Sequence, residues 1–430
     1  MKNKSIKRDK KVSLNAANKR ASNLFKFTAI IAVILFFCFC PTLSTTSAAT
    51  LNTSSATTNY SKEYQSNISS DDLQQEIKDQ LDGLDLDSLD KILAGFSTGQ
   101  LALFGGNSFL EKIEKLLSGD FDNGKSVWTN LLSIFLDNLL GLLPIISLII
   151  AISLLGNMIQ GLKPSSSGKS ISSLIHFVTY GFIVVLVLSI VIKMISTTTG
   201  SILSIKAQMD AIFPLLLTFL TAIGGTVSSS VYQPAMALLS GVIINLFTYV
   251  LLPLFIFSIV FSIVSNLSNT VKLSKFTAFF DSTFKWLTGL IFTIFTAFLS
   301  IQGITAGSID GISMKTAKYA IRSYVPLLGS YLSDGMGLIL ASSNLIKNAV
   351  GAAGLFMLLA TILSPLIELI IFMLALKLIA GIVEPLGSRQ IANFISSISK
   401  SMVLLIVILI AVAFIYFIMI GLVMCSANLF

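Results

Sequence analysis

From residue 138 to the C-terminus, apolar residues do not alternate with polar ones but run on in long stretches parted by short polar breaks. Such runs occupy about 139–161, 172–195, 211–228, 235–264, 286–308, 348–383 and 401–424. A spanning helix needs about 20 apolar residues, and lipid offers the backbone no hydrogen-bond partner, so each run predicts a helix. A transmembrane barrel would alternate with a period of two, which these runs do not. The runs 235–264 and 348–383 are too long for one simple crossing and contain Pro253 and Pro365. Proline removes a backbone donor and crowds the preceding turn, so each run is expected to tilt, kink or split there. Pro144 and Pro214 stand near the ends of their runs. Residues 323–346 are less apolar, contain Asp334 and read as a re-entrant or interfacial segment.

The pattern before residue 138 is different. Residues 50–70 are rich in Ser, Thr and Asn without periodicity and read as a linker. Leu73, Ile77, Leu81 and Leu84 then mark one face of a helix. Asp71, Asp72 and Glu76 sit in its first turns, where the helix dipole favours acids. A second short helix is expected from Ser108-x-x-Glu111, the spacing of a capping box, with Leu110, Ile113, Leu116 and Leu117 as its stripe. Such helices can pack on each other, lie on a membrane surface or dock on a partner. The run Asp82-Gly-Leu-Asp85-Leu-Asp87 lacks the ligand spacing and closing Glu of an EF-hand, so a solvated acidic face is expected.

Composition fits the pattern. Of 430 residues, 54% are hydrophobic and 12% charged, with a mean hydropathy of +0.86. That is about half the charge of a soluble domain, too little to cover a surface facing water. The net charge of +8 arises in residues 1–26, which hold nine bases and one acid. An apolar stretch, Phe27 to Cys40, follows, then Pro41 and Ser47-Ala48-Ala49. Basic segment, short apolar core and small residues predict a secretory signal peptide over 1–49, with an uncleaved anchor as the alternative. Residues 50–137 carry 14 acids and 6 bases, and residues 138–430 carry 6 acids and 14 bases. Cleavage after Ala49 leaves Cys425 as the one remaining cysteine. The domain reading is therefore a signal peptide (1–49), an acidic extracytoplasmic segment (50–137) and a multi-spanning helical body (138–430). The fold class is all-α.

The positive-inside rule gives a partial topology. With the mature N-terminus outside, the loop Lys163 to Lys169 falls inside. The loops 265–285 and 309–322 are both basic, yet one span separates them. Either that span turns back or one loop is basic for another reason.

Motifs that carry chemistry are few. No P-loop, H-E-x-x-H or G-x-S-x-G occurs, and no catalytic dyad is seen, so neither an enzyme nor a cofactor is expected. His176, the one histidine, lies in an apolar run and reads as packing. Glu368 stands three residues after Pro365 in the longest run. A charge at a membrane centre costs roughly 3 kcal/mol, which the neighbouring Leu and Ile residues offset. An intramembrane acid is a functional candidate, the other reading being a helix end that reaches water. Lys377 is nine residues on, about half a turn out of phase, so it cannot pair with Glu368 along one helix. Gly303-x-x-x-Gly307 and Ala349-x-x-x-Ala353 are small-residue spacings suited to close helix packing.

Several spaced motifs resemble one family. Ser300-Ile-Gln302-Gly303, Asp310-Gly-Ile312, Thr316-Ala-Lys318, Pro326-Leu-Leu-Gly329, Asp334 and Lys347-Asn-x-Val-Gly351 occur in order. Pro214-Leu-Leu-Leu217, Gly224-Gly225, Pro234, Pro385-Leu-Gly387 and Ser399-Lys400-Ser401 add to them. Together they resemble stage III sporulation protein AE of endospore-forming bacteria. The resemblance implies a polytopic subunit of the mother-cell membrane in the mother-cell–forespore channel, a secretion-like complex. The partners it implies are a cytoplasmic ATPase, small membrane subunits and ring-forming proteins of the intermembrane space. A homo-oligomer is open as well, and nucleic acid is not expected. The candidate pore or packing residues are Gln302, Gly303, Gly307, Asp310, Asp334, Lys347 and Glu368. The alternative is a secondary transporter with Glu368 as its intramembrane acid, a reading suggested by the proline-broken long helices.

Overall fold

A computed structural model describes residues 70–84, 86–118, 125–161, 168–267, 273–298, 329–385 and 389–426. The expected signal peptide and linker and the loop 309–322 lie outside these residues, whereas the expected loop 265–285 is helical at 265–267 and 274–285, with only 268–272 outside. All regular structure among the described residues is helical. Four short helices come first: α1 (Ser70–Asp82), α2 (Asp87–Ala94), α3 (Thr98–Phe104) and α4 (Phe109–Ser118). Then come α5 (Lys125–Gly161), α6 (Gly168–Ala222) and a helical run α7 over 226–267. The last are α8 over 274–298, α9 (Gly329–Val383) and α10 (Arg389–Cys425).

The acidic segment thus holds four helices where periodicity predicts two. The extra helix α3 starts at Ser97, whose side chain accepts from the Gln100 amide while Gln100 Oε1 accepts from Ser97 N. This is a complete capping box, S-x-x-Q, legible in the sequence but passed over. At Ser108 only half of the expected box forms. Ser108 Oγ accepts from Glu111 N, but the Glu111 carboxylate reaches one residue further, to Asn107 N at 2.8 Å. Its hydrogen bond to Lys115 and those to Asn107 and Ser108 hold the Glu111 carboxyl below the usual range. Its contribution to α4 is present above the ordinary carboxylate pKa and is lost as pH falls through that lowered value.

These helices dock on the long body, the third of the options open to them, with the partner in the same chain. Leu89, Leu93, Phe104, Phe109 and Ile113 form their buried face. Gln80 Nε2 donates to Ser342 Oγ at 2.9 Å, and Ser343 Oγ donates to Gln80 Oε1 at 3.1 Å. The Lys112 ammonium lies 4.2 Å from the Phe356 ring centroid, a cation–π contact onto α9.

The body corrects two expectations about spans. The run 172–195 and the run 211–228 as far as Ala222 belong to one helix, α6, of 55 residues, and the second run's last residues fall in α7. The polar stretch between them does not break it, because Thr198, Thr199 and Ser201 return their hydroxyls to the carbonyls of Met194, Ile195 and Thr197. The helix stops at Gly224, whose φ of +88° an L side chain rarely adopts. Gly225 N donates to Leu220 O and Gly224 N to Thr221 O, the paired bonds of a Schellman stop. Likewise 323–346 is not a separate re-entrant piece from Gly329 on, since α9 runs unbroken from Gly329 through Pro365 to Val383. At 1.5 Å per residue each 55-residue helix is about 82 Å long, against a hydrocarbon core of about 30 Å. In α7 the break expected at Pro253 becomes a π-helical stretch just before it, Phe247–Leu251, with another further back at Leu238–Ile243. An i→i+5 ladder gives the ring room without parting the helix.

α6 and α9 run antiparallel, with Gln208 Nε2 bonded to Thr361 Oγ1 in one half and Lys193 to Glu368 in the other. α10 is packed among its neighbours: 61% of its most apolar stretch is buried, against 22% for α5. Polar bonds tie one end of the bundle. Tyr180 OH donates to Ile263 O, Ser262 Oγ to Ser397 Oγ, and the Gln390 amide to Asn266 O. At the other end Lys347 Nζ donates to Met424 O in the last turn of α10.

The outward stripe of α6 changes character along its length. Its exposed positions are Leu174, Phe177, Val178, Gly181, Phe182, Val185, Ser189 and Ile192, then Lys193, Ser196, Gly200, Leu203, Ala207, Asp210, Pro214, Thr218, Thr221 and Ala222. Mostly apolar side chains, with Gly181 and Ser189 among them, give way at Lys193 to mostly small and polar ones, with Leu203 the large apolar one.

Close packing around α9 depends on missing side chains. A Cβ at Gly351 would stand 2.6 Å from Met424 Cγ and Sδ, and one at Gly354 would stand 2.9 Å from Ile212 Cδ1. Gly351→Val is expected to cost about 1–3 kcal/mol, read as a lower thermal unfolding midpoint in detergent. Gly200→Ala has open space before it. It should be neutral or stabilising by up to about 1 kcal/mol.

Candidate functional site

Glu368 sits in the middle of α9, not at a helix end. Its carboxylate meets the Lys193 ammonium of α6 at 2.7 Å. The Glu368 side chain is 16% exposed and that of Lys193 65% exposed. The acid therefore gains its compensating charge from another helix, while Lys377 is exposed on α9 and does not pair with it. Taking either charge out of water alone would cost several kcal/mol, and the contact lowers that cost for both.

The pair borders a cleft of about 380 Å³ between α5, α6 and α9. Asp137 and Asn138 enter it from α5, Ser189 and Lys193 from α6, and Glu368 from α9. Leu142, Ile145, Ile190 and Phe372 complete the wall with apolar groups. The three ion pairs among the described residues do not include Asp137. The cleft thus holds two acids and one base, with an apolar side. Charges so arranged can hold helices in register, take up a proton or a cation, or bind a group of mixed charge.

The other candidates fall elsewhere. Lys347 is fully buried, and its bond to Met424 O supplies a donor to a helix end whose carbonyls lack intrahelical partners. That is a packing role, away from the cleft. Asp334 lies in the first turns of α9. Gln302, Gly303, Gly307 and Asp310 lie outside the described residues. Lys193 and Asp137 were missed by the sequence reading. Lys193 carries the same signal as Glu368, a lone charge in an apolar run, Val191-Ile-Lys193-Met-Ile195. Asp137 stood at the margin of the first run and looked like part of the acidic lead-in.

The family model for Stage III sporulation protein AE matches residues 108–427. A relative, Stage III sporulation protein AE of Bacillus subtilis (strain 168), is 27% identical over 272 residues, which is 63% of this chain and 68% of the relative. No solved structure matches.

Glu368→Gln and Lys193→Met should each destabilise the protein, because each strands one charge. The expected cost is roughly 1–3 kcal/mol, below the figure for a sealed pair because Lys193 is partly exposed. The double variant should lose less than the sum of the two, as thermal unfolding of all four proteins in detergent would show.

Proposed function

The chain belongs to the Stage III sporulation protein AE family, and on that basis we propose that this membrane protein is a scaffold or channel subunit of the mother-cell–forespore complex. Family membership carries the sporulation role. The observation that favours a scaffold is the change along α6. Leu174 to Ile192 rises about 27 Å, close to the thickness of a hydrocarbon core. Lys193 to Ala222 rises a further ~44 Å with mainly small and polar groups facing out, Leu203 apart. The bilayer then ends near Lys193, and the bundle continues beyond it as a head.

Two features of the chain agree on which side that head lies. The basic loop Lys163 to Lys169 joins α5 to α6 at the end opposite the head, where the positive-inside rule places cytoplasm. The acidic helices α1–α4 rest on the head half of α9, at Ser342 and Phe356. Exposed Tyr249 and Trp286 support a boundary near Lys193, since such rings favour the headgroup layer. In this reading α1–α4 and the upper bundle project from the mother-cell membrane toward the forespore. They would meet the ring-forming proteins of the intermembrane space, and the opposite end would face the ATPase.

The ion pair also keeps the transporter alternative in view, because Glu368 lines a cleft with a second acid. The two readings part on one experiment. Deleting the gene should arrest spore development after engulfment, and re-expression in the mother cell, not in the forespore, should restore heat-resistant spores. Glu368→Gln expressed at wild-type level should still support spores if the protein is a scaffold. Normal spores in the deletion strain would overturn the proposal.

A further inference from the structure

The cleft between α5, α6 and α9 lies at the level where the outward stripe of α6 changes, and its lining is divided in the same way. Ile145, Ile190 and Phe372 form an apolar wall, while Asp137, Lys193 and Glu368 supply charge. An ammonium has three donors, and Lys193 gives one to Glu368 at 2.7 Å. With its side chain 65% exposed, Lys193 has donors left for an incoming anion. Asp137 is exposed and joins no ion pair among the described residues, so it is available to a cation. One amphipathic cavity of about 380 Å³ therefore offers a cationic group, an anionic group and a greasy side.

The chemistry of these three surfaces selects a ligand. A free inorganic anion would use only the lysine and would be repelled by Asp137. An inorganic cation would use only the acids. Neither would touch the apolar wall. A phosphodiester linked to a primary ammonium and to acyl chains matches all three, and such a lipid is already at hand if the bilayer ends near Lys193. The volume suits a headgroup, with chains left to run along the lipid-facing side of α5, where Leu140 and Leu143 are exposed.

We propose that this cleft binds the headgroup of phosphatidylethanolamine, with the phosphate on Lys193 and the ammonium on Asp137. The bound lipid ties α5 to the α6–α9 pair and sets the height of the head above the membrane. The proposal rests on the boundary placed near Lys193 above.

The test uses the full chain, purified and delipidated in a neutral detergent, with thermal unfolding followed as lipid is added. Phosphatidylethanolamine should raise the midpoint more than phosphatidylcholine, whose trimethylated amine cannot donate to Asp137, and more than phosphatidylglycerol, which has no cation. Soluble phosphoethanolamine separates the headgroup from the lipid and should bind more weakly than the intact lipid, lacking the apolar wall. Asp137→Asn should remove the preference over phosphatidylcholine, weakening phosphatidylethanolamine by about tenfold, the worth of one charge-assisted hydrogen bond. Lys193→Gln should weaken both zwitterionic lipids. Equal shifts from all three lipids, or a preference unchanged in Asp137→Asn, would overturn the site.

Thiol labelling separates that failure from failure of the boundary. In a chain with Cys38, Cys40 and Cys425 replaced by Ser, Ser196→Cys and Gly200→Cys should react with an impermeant maleimide added outside protoplasts, and Phe182→Cys should not. Shielding of Ser196→Cys and Gly200→Cys would remove the boundary and the site together. Labelling as expected without lipid preference would remove the site alone.

Discussion

The antiparallel contact between α6 and α9 is the interaction from which the rest of the architecture follows. Each helix has 55 residues and is far longer than a bilayer is thick. Each carries one interior proline, Pro214 in α6 and Pro365 in α9, and runs through it unbroken. The Gln208–Thr361 bond and the Lys193–Glu368 pair sit on this contact, and Ile212 packs so close to Gly354 of α9 that a Cβ there would make its terminal methyl move. α10 then fills the groove that the pair leaves, and Lys347 caps its last turn from α9.

Hydrophobicity and lipid exposure are different properties in this bundle. α10 is the most apolar of the long helices, yet most of its apolar stretch faces protein. Its buried positions, among them Phe394, Ser399, Leu404, Ile408, Ala411 and Tyr416, spread over most of the helix circumference, as they do in a core helix of a large soluble protein. α5 is less apolar and far more exposed. An apolar helix thus serves as the core of the upper bundle, where water surrounds the outside in the reading proposed above.

The charged groups follow the same division. A cation and an anion from different helices meet beside a cleft, while an ammonium at the far end is spent on a helix terminus. Both are local solutions to one problem, that a charge removed from water needs a partner. The first leaves room and a second acid beside it; the second is sealed. That difference, more than the identity of the residues, separates a candidate site from a structural contact.

The helical membrane class was legible in the sequence, because continuous apolar runs admit only helices in lipid. So was Glu368 as an acid out of place, whereas the stop at Gly224-Gly225 was not, since the apolar run 211–228 passes through it. The number of breaks was not. Sequence hydropathy parts 172–195 from 211–228 at a polar stretch, but Thr and Ser hydroxyls satisfied by the preceding turn let the helix pass through it. Nor could periodicity reveal that α1–α4 dock on α9, since an amphipathic face shows that something covers it but not what. Composition and local pattern determined which segments are helices and which face of each is apolar. Which faces meet, which charges pair and which apolar stretch is core and not lipid-facing were decided by the tertiary structure, because those depend on contacts between residues far apart in the chain.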